Sequence, residues 1–428
     1  HPPLGKWLIS LGELVFGVNS FGWRFASCLF GTLLIVVTIR LARRVSRSTL
    51  VGVIAGILLT FDGLEFTMSR IALLDILQAF FIVAAVSAIV VDRDWFRNRL
   101  ADQLTFVNAT DLGGAFGRYA LWRPWRWVAG VMFGCAIGVK WNSIYVLAAF
   151  ALLSVLWDVG ARRLAGADFR SWMALLYDGL PAFVALVLCA VATYVATWTG
   201  WFATSGGWDR TWGAQRPDEP LVKAFGADIA SWLWYHKEIY DFHTGDFINK
   251  ATHPYNAHPA GWLLMLRPIG IDAINGIKNG TDGCTVPSGD CLRVISGMGT
   301  PLLWWFAAVA LVVACVWWLA GRDWRFGVAV VGVASTWLPW VYQGVTTTRP
   351  LFFFYAIVIV PFTVLGLAMV LGLILGRARA SGRRAAAIAV GVVVALVVLD
   401  FGYLYPVFTD VLLPYNDWLT RMWLHSWI

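Results

Sequence analysis

Residues 351–375 read LFFFYAIVIVPFTVLGLAMVLGLIL, 25 positions without one charged side chain. A run that long and apolar exceeds the roughly 20 residues a helix needs to cross the hydrocarbon core of a bilayer. Working outward, similar stretches occupy residues 21–42, 51–68, 71–91, 127–139, 141–157, 175–198, 302–320, 326–342 and 385–403. The composition agrees, with 59% hydrophobic residues, 14% charged residues and 26 Trp. Together with a mean hydropathy of +0.69, these values exclude a soluble globular chain. The sequence is read as an all-α, polytopic helical membrane protein with about ten transmembrane helices and further helices in its outer loops.

The formal charge of +8 is placed rather than spread. Arg40, Arg43, Arg44 and Arg47 follow the first apolar stretch, and Arg93, Arg97, Arg99, Arg118, Arg123 and Arg126 follow the third. Arg162 and Arg163, then Arg322 and Arg325, then Arg377, Arg379, Arg383 and Arg384 fill later alternate loops. Such alternation marks one face as cytoplasmic, so membrane topology accounts for the charge and no nucleic acid partner is needed. Every other loop then faces outward, including the long 200–300 segment and the Trp-rich residues 404–428, which are expected to lie in the outer interface. No phosphate-binding glycine loop, zinc-type Cys/His spacing or dinucleotide turn is present, so neither a cofactor nor a divalent metal is indicated.

Cys28, Cys135, Cys189 and Cys315 fall within apolar stretches as small fillers. Cys284 and Cys291 bracket a turn-rich segment of the outer loop and form a candidate disulfide, for which an outward-facing loop supplies the oxidising surroundings.

An ionisable group against a span costs about 2.5–3.5 kcal/mol on insertion scales, which makes each one a candidate for function. The topology collects His1, Lys6, Arg24, Arg70, Lys140 and Arg349 at the outer ends of spans, as candidate ligands for a phosphate. Asp62, Glu65 and Asp75 approach the same end as supporting carboxylates. In the outer loop, His253, Tyr255, His258, Trp262 and Arg267 mix aromatic faces with hydrogen-bonding groups and suit a sugar or a peptide.

Six segments in order then resemble the protein O-mannosyltransferases in their bacterial, actinobacterial-type form. They are His1-Pro2-Pro3-Leu4-Gly5-Lys6, Arg24-Phe25-Ala26-Ser27, Ser69-Arg70-Ile71-Ala72-Leu73-Leu74-Asp75, Gly138-Val139-Lys140-Trp141, His253-x-Tyr255 through Arg267-Pro268-Ile269, and Arg349-Pro350-Leu351-Phe352-Phe353-Phe354-Tyr355. The resemblance implies one GT-C transmembrane domain over residues 1–428 that moves mannose, with inversion, from polyprenyl phosphate mannose to Ser or Thr of exported proteins. It implies a multi-pass plasma-membrane protein with an extracytoplasmic active site, whose partners are the bilayer, the lipid-linked donor, the secreted or membrane protein acceptors and, as a further candidate, the export machinery. It also implies about eleven spans in the intact protein, with an N-terminal span, a first outer loop and the general base, an Asp of an Asp-Glu pair, upstream of His1. Two alternatives stand beside it: a GT-C transferase moving aminoarabinose or arabinofuranose from a polyprenyl phosphate to a glycolipid, and a lipid or solute transporter.

Overall fold

The computed structural model describes residues 1–377 and 382–428, so Arg379 lies outside the described residues. The chain is mostly helical, and each of the ten apolar stretches contains helix. Among the described residues, six helical segments are long and apolar enough to cross a membrane. The first half of the chain forms α1 (Leu4–Phe16), α2 (Ser20–Ser46), α3 (Thr49–Thr60), α4 (Gly63–Met68), α5 (Leu74–Phe106), α6 (Pro124–Val139) and α7 (Ser143–Arg162). At the centre lies α5, packed against α2, α6 and α7.

Small residues set the closest of these contacts. Gly130 and Gly134 lie one turn apart on α6, and a Cβ at either would fall 2.1 Å from the Ala185 carbonyl or 2.6 Å from the Ala190 carbonyl. Without side chains there, the 184–197 helical segment and α6 bring their backbones together, which is how membrane helices gain packing when burial from water is not available.

Two apolar stretches are not single helices. Residues 51–68 break at Phe61, because the Asp62 carboxylate caps α4 by accepting from the Glu65 N–H at 2.9 Å. Residues 351–375, the stretch that settled the fold class, begin in extended backbone and a 3-10 turn at Phe353–Val358; the α-helix starts only at Val360. Pro361 sits in its first turn, where a missing N–H costs nothing.

The Arg-rich segments at 40–47, 93–126, 162–163 and 322–325 share one end of the bundle. Arg44 pairs with Asp94 at 3.3 Å, the Arg93 guanidinium lies 3.4 Å from the Trp324 ring centre, and Arg123 bridges Asp92 and Asp158. Arg162 forks onto Asp178 at 2.6 and 2.7 Å. Arg123, Arg126 and Arg162 are therefore buried in ion pairs rather than exposed to headgroups. Pairing of this quality offsets the cost of taking the charges out of water.

At the other end, residues 200–300 fold over the helices. This segment carries the Pro220–Thr244 helix and two strands, β1 (Ile269–Ile277) and β2 (Cys291–Gly297), paired antiparallel. A purely helical reading missed them, because a nine-residue strand with two irregular registers has no clean alternation to detect. Cys284 and Cys291 are joined by a disulfide. Residues 404–428 dock on this loop: β3 (Leu413–Pro414) extends the sheet, and buried Trp427 donates to the Met265 carbonyl at 2.7 Å.

Candidate active site

Two helix ends build the core of the site. Asp75 lies in the first turn of α5 and Lys140 caps the C-terminus of α6, so each charge faces the helix end whose partial charge favours it. They meet as a buried pair, Lys140 Nζ to Asp75 Oδ1 at 2.7 Å. Beside them, Gln78 of α5 donates to Asn142 at 2.6 Å and to Ser143 at 2.8 Å, fixing the α6–α7 turn that carries Lys140.

Above this pair opens a cavity of about 400 Å³ whose lining includes His1, Lys140, His243, Trp340, Arg349 and Tyr355. The Trp340 and Tyr355 rings stack at 4.7 Å, and Lys140 Nζ lies 5.0 Å from the Tyr355 ring centre. Arg349 is buried and donates to the His243 carbonyl at 3.2 Å. Its Nε has no partner among the described residues. The His243 ring stacks on His1 at 5.0 Å. Burial, then the neighbouring Arg349, the amino group of His1 and Lys140, in that order, push the His243 imidazole down to about 4, so it stands neutral at physiological pH.

Among the described residues, no carboxylate lines this cavity. What it offers is two cations, two imidazoles and an aromatic wall, a set that takes an anion with apolar surroundings. A second groove of about 600 Å³ shares Tyr145, Pro339 and Tyr342 with the cavity and continues along apolar side chains of α7 and the Trp324–Thr346 helix. A charged head and an apolar tail would each find a matching surface.

The sequence-derived residues divide sharply. His1, Lys140 and Arg349 line the cavity, and Asp75 stands behind Lys140. Lys6 follows one turn into α1 and is exposed outside the lining. Arg24 is exposed against its neighbour Trp23, 5.6 Å from the ring centre, and Arg70 is exposed over Phe66 at 4.8 Å; neither reaches the cavity. Asp62 and Glu65, expected as supporting carboxylates at this end, do not line the cavity. Both are buried: Asp62 accepts from Trp304 Nε1 at 2.8 Å and the Thr300 N–H at 3.3 Å, and Glu65 accepts from Ser69 Oγ at 2.9 Å.

The loop constellation also sits behind the cavity rather than in it. His253 caps its own turn by accepting from the Tyr255 N–H at 3.1 Å, and His258 does the same for Ala260 at 3.3 Å. Trp262 is buried, donating to the Ala257 carbonyl at 3.0 Å, and its ring lies 6.1 Å from Trp340. Arg267 holds the Ser426 carbonyl at 2.6 Å and the Pro254 carbonyl at 3.0 Å, with Tyr255 under its guanidinium. The segment's link to the site runs through Asn256 and Ala257, which exchange hydrogen bonds of 2.9 and 2.7 Å with Leu351 and so fix the backbone two residues after Arg349. His243 and Tyr240, from the end of the Pro220–Thr244 helix, were not singled out in the sequence.

Comparison with known proteins bears on this geometry. A polyprenol-phosphate-mannose–protein mannosyltransferase of Mycobacterium tuberculosis is 38% identical over all of this chain and 80% of its own length. The chain belongs to that mannosyltransferase family. A Corynebacterium glutamicum protein of the same name is 36% identical over the whole chain and 81% of its own length. The family model described as dolichyl-phosphate-mannose-protein mannosyltransferase matches residues 1–204. In fold, the chain superposes on the S. cerevisiae protein O-mannosyltransferase Pmt1–Pmt2 complex bound to the sugar donor with a TM-score of 0.71 at 12% identity, over 100% of this chain and 86% of that one. The protein is therefore a membrane glycosyltransferase of GT-C fold, which sets aside the transporter reading, and the aminoarabinose and arabinofuranose readings fit less well than the mannosyl one.

Proposed function

We propose that this protein transfers mannose from polyprenyl phosphate mannose to Ser or Thr hydroxyls of exported proteins, at the extracytoplasmic face of the plasma membrane and with inversion. One observation carries the reading: a cationic cavity without a carboxylate in its described lining opens into an apolar groove. The donor's phosphate would lie between Lys140 and Arg349, with His1 and His243 at its edge and Lys6 adding positive potential. Its polyprenyl chain would follow the groove beside Tyr145 and Pro339.

In this reaction the acceptor oxygen attacks the anomeric carbon as its proton leaves, and the glycosidic bond to the lipid phosphate breaks. Negative charge grows on that phosphate, where fixed cations stabilise it more in the transition state than in the ground state. Asp62, Glu65 and Asp75 are each committed to other partners and are not assigned as the proton acceptor. The Cys284–Cys291 bond and the Arg-rich opposite end support an extracytoplasmic site.

The test is Arg349→Ala in the full chain, assayed for transfer from purified polyprenyl phosphate mannose to a Thr-containing peptide. Loss of transfer by about 10²–10³-fold is expected for removal of one charge-stabilising donor. Near-normal turnover would remove the cavity from the reaction.

A further inference from the structure

The bundle end opposite the cavity holds a second pocket, of about 760 Å³, whose walls include Arg40, Arg43, Arg44, Arg47, Ala84 and Ser87. It lies between the C-terminal end of α2 and the middle of α5. Asp75 and Asp94 lie 19 residues apart on α5, about 28 Å at the helical rise of about 1.5 Å per residue. That is close to the thickness of a hydrocarbon core, about 30 Å. The Asp94 end of the pocket is thus about one hydrocarbon core away from the mannosyl site, while Ala84, at the other end of its lining, lies about 14 Å from Asp75 along α5.

Its charges are not balanced from within. Asp94 is the one carboxylate in the lining, and it already pairs with Arg44 at 3.3 Å and Arg93 at 3.2 Å. Among the described residues, Arg40, Arg43 and Arg47 have no ion pair and are exposed. This sets them apart from Arg123, Arg126 and Arg162 at the same end, which are buried against Asp92, Asp158 and Asp178. The pocket floor on α5 is built of small side chains, Ala84, Ser87 and Ala88, which leave width between helices, and Val128 and Trp125 close its side. Trp125 is partly exposed, as an indole at a headgroup level would be.

We propose that this cleft binds the headgroup of an anionic phospholipid of the leaflet opposite the mannosyl donor. Arg40, Arg43 and Arg47 would hold its phosphate, and an acyl chain would lie along Ala84 and Val128. Guanidinium groups suit phosphate oxygens by fork geometry, and basic pockets between helices at a membrane surface select anionic headgroups. The inference rests on the membrane orientation proposed above and not on the transfer reaction, so lipid binding and mannosyl transfer can fail independently.

Native mass spectrometry of the purified full chain, titrated with phosphatidylglycerol or phosphatidylcholine, tests it. The chain should retain phosphatidylglycerol in preference. Replacing three basic side chains, Arg40→Gln, Arg43→Gln and Arg47→Gln, should weaken that binding on the order of 100-fold, with the thermal unfolding midpoint in lipid-free detergent unchanged. Ser87→Phe, which fills the cleft and keeps every charge, should also displace the lipid, and decides the matter should the triple variant not fold. Equal retention of both lipids by the wild type, undiminished phosphatidylglycerol on Ser87→Phe, or displacement of the lipid by millimolar inorganic phosphate alone would overturn the proposal, the last in favour of a free-phosphate site.

Discussion

Lys140→Met separates the structural role of the buried pair from its chemical one. Lys140 Nζ and Asp75 Oδ1 are 2.7 Å apart, with side chains 11% and 3% exposed. Removing the lysine leaves a buried carboxylate without its partner, a change that costs about 3–5 kcal/mol. That is about two to four powers of ten in the folding equilibrium. The double variant Asp75→Asn with Lys140→Met removes both charges and should recover most of that loss, because neither side chain then carries an uncompensated charge. Transfer should behave differently. An ammonium has three donors and Asp75 takes one, so Lys140 can also hold a phosphate oxygen. Without it, transfer to a Thr-containing peptide should stay down by about 10²–10³-fold in both variants. Thermal unfolding in detergent and mannosyl transfer, measured on the same preparations, give the two readouts. Recovery of transfer together with stability in the double variant would refute a phosphate role and leave Lys140 as a structural residue.

Two further predictions concern residues 200–300. His243 titrates at about 4 in the folded protein, below its ordinary value of 6.5, because burial and the nearby cations disfavour its charged form. Its contribution to stability is therefore intact above about pH 6.5 and declines as pH falls towards 4; His243→Gln should flatten that part of the thermal midpoint against pH, and an unchanged acid slope would contradict the assignment. Cys284 and Cys291 should resist alkylation until reductant is added and label once it is. Cys284→Ser with Cys291→Ser should cost about 2–5 kcal/mol if the loop unfolds with the domain, and full labelling of Cys284 without reductant would show that the bond is not formed.

Much of this molecule is legible before its structure is seen, for a physical reason that also sets the limit. Apolar runs of this length favour helix, so the helices are found from hydropathy, but helix starts depend on caps and turns, and residues 351–359 were absorbed into a helix that begins at Val360. Charge beside an apolar run brings Lys140, Arg349 and His1 to one end of the bundle, where they line one cavity. Arg24 and Arg70 sit at that same end yet point away from the cavity, because topology gives depth along a helix and not rotation about it. Asp62 carried a readable signal, since Asp62-Gly63-Leu64-Glu65 has the spacing of an N-terminal cap, and its carboxylate does cap α4. His243 carried none. Its role comes from meeting His1 and Arg349 across the fold, which no local pattern encodes.

The position of the donor's phosphate decides whether Lys140 and Arg349 form its site. A cryo-EM structure of the full chain with polyprenyl phosphate mannose, or a non-transferable analogue, would measure that position. The prediction is phosphate oxygens at about 3 Å from both Lys140 Nζ and the Arg349 guanidinium, with the lipid chain along Tyr145 and Pro339. A phosphate seated beside Arg24 or Arg70, with Lys140 and Arg349 unengaged, would contradict it.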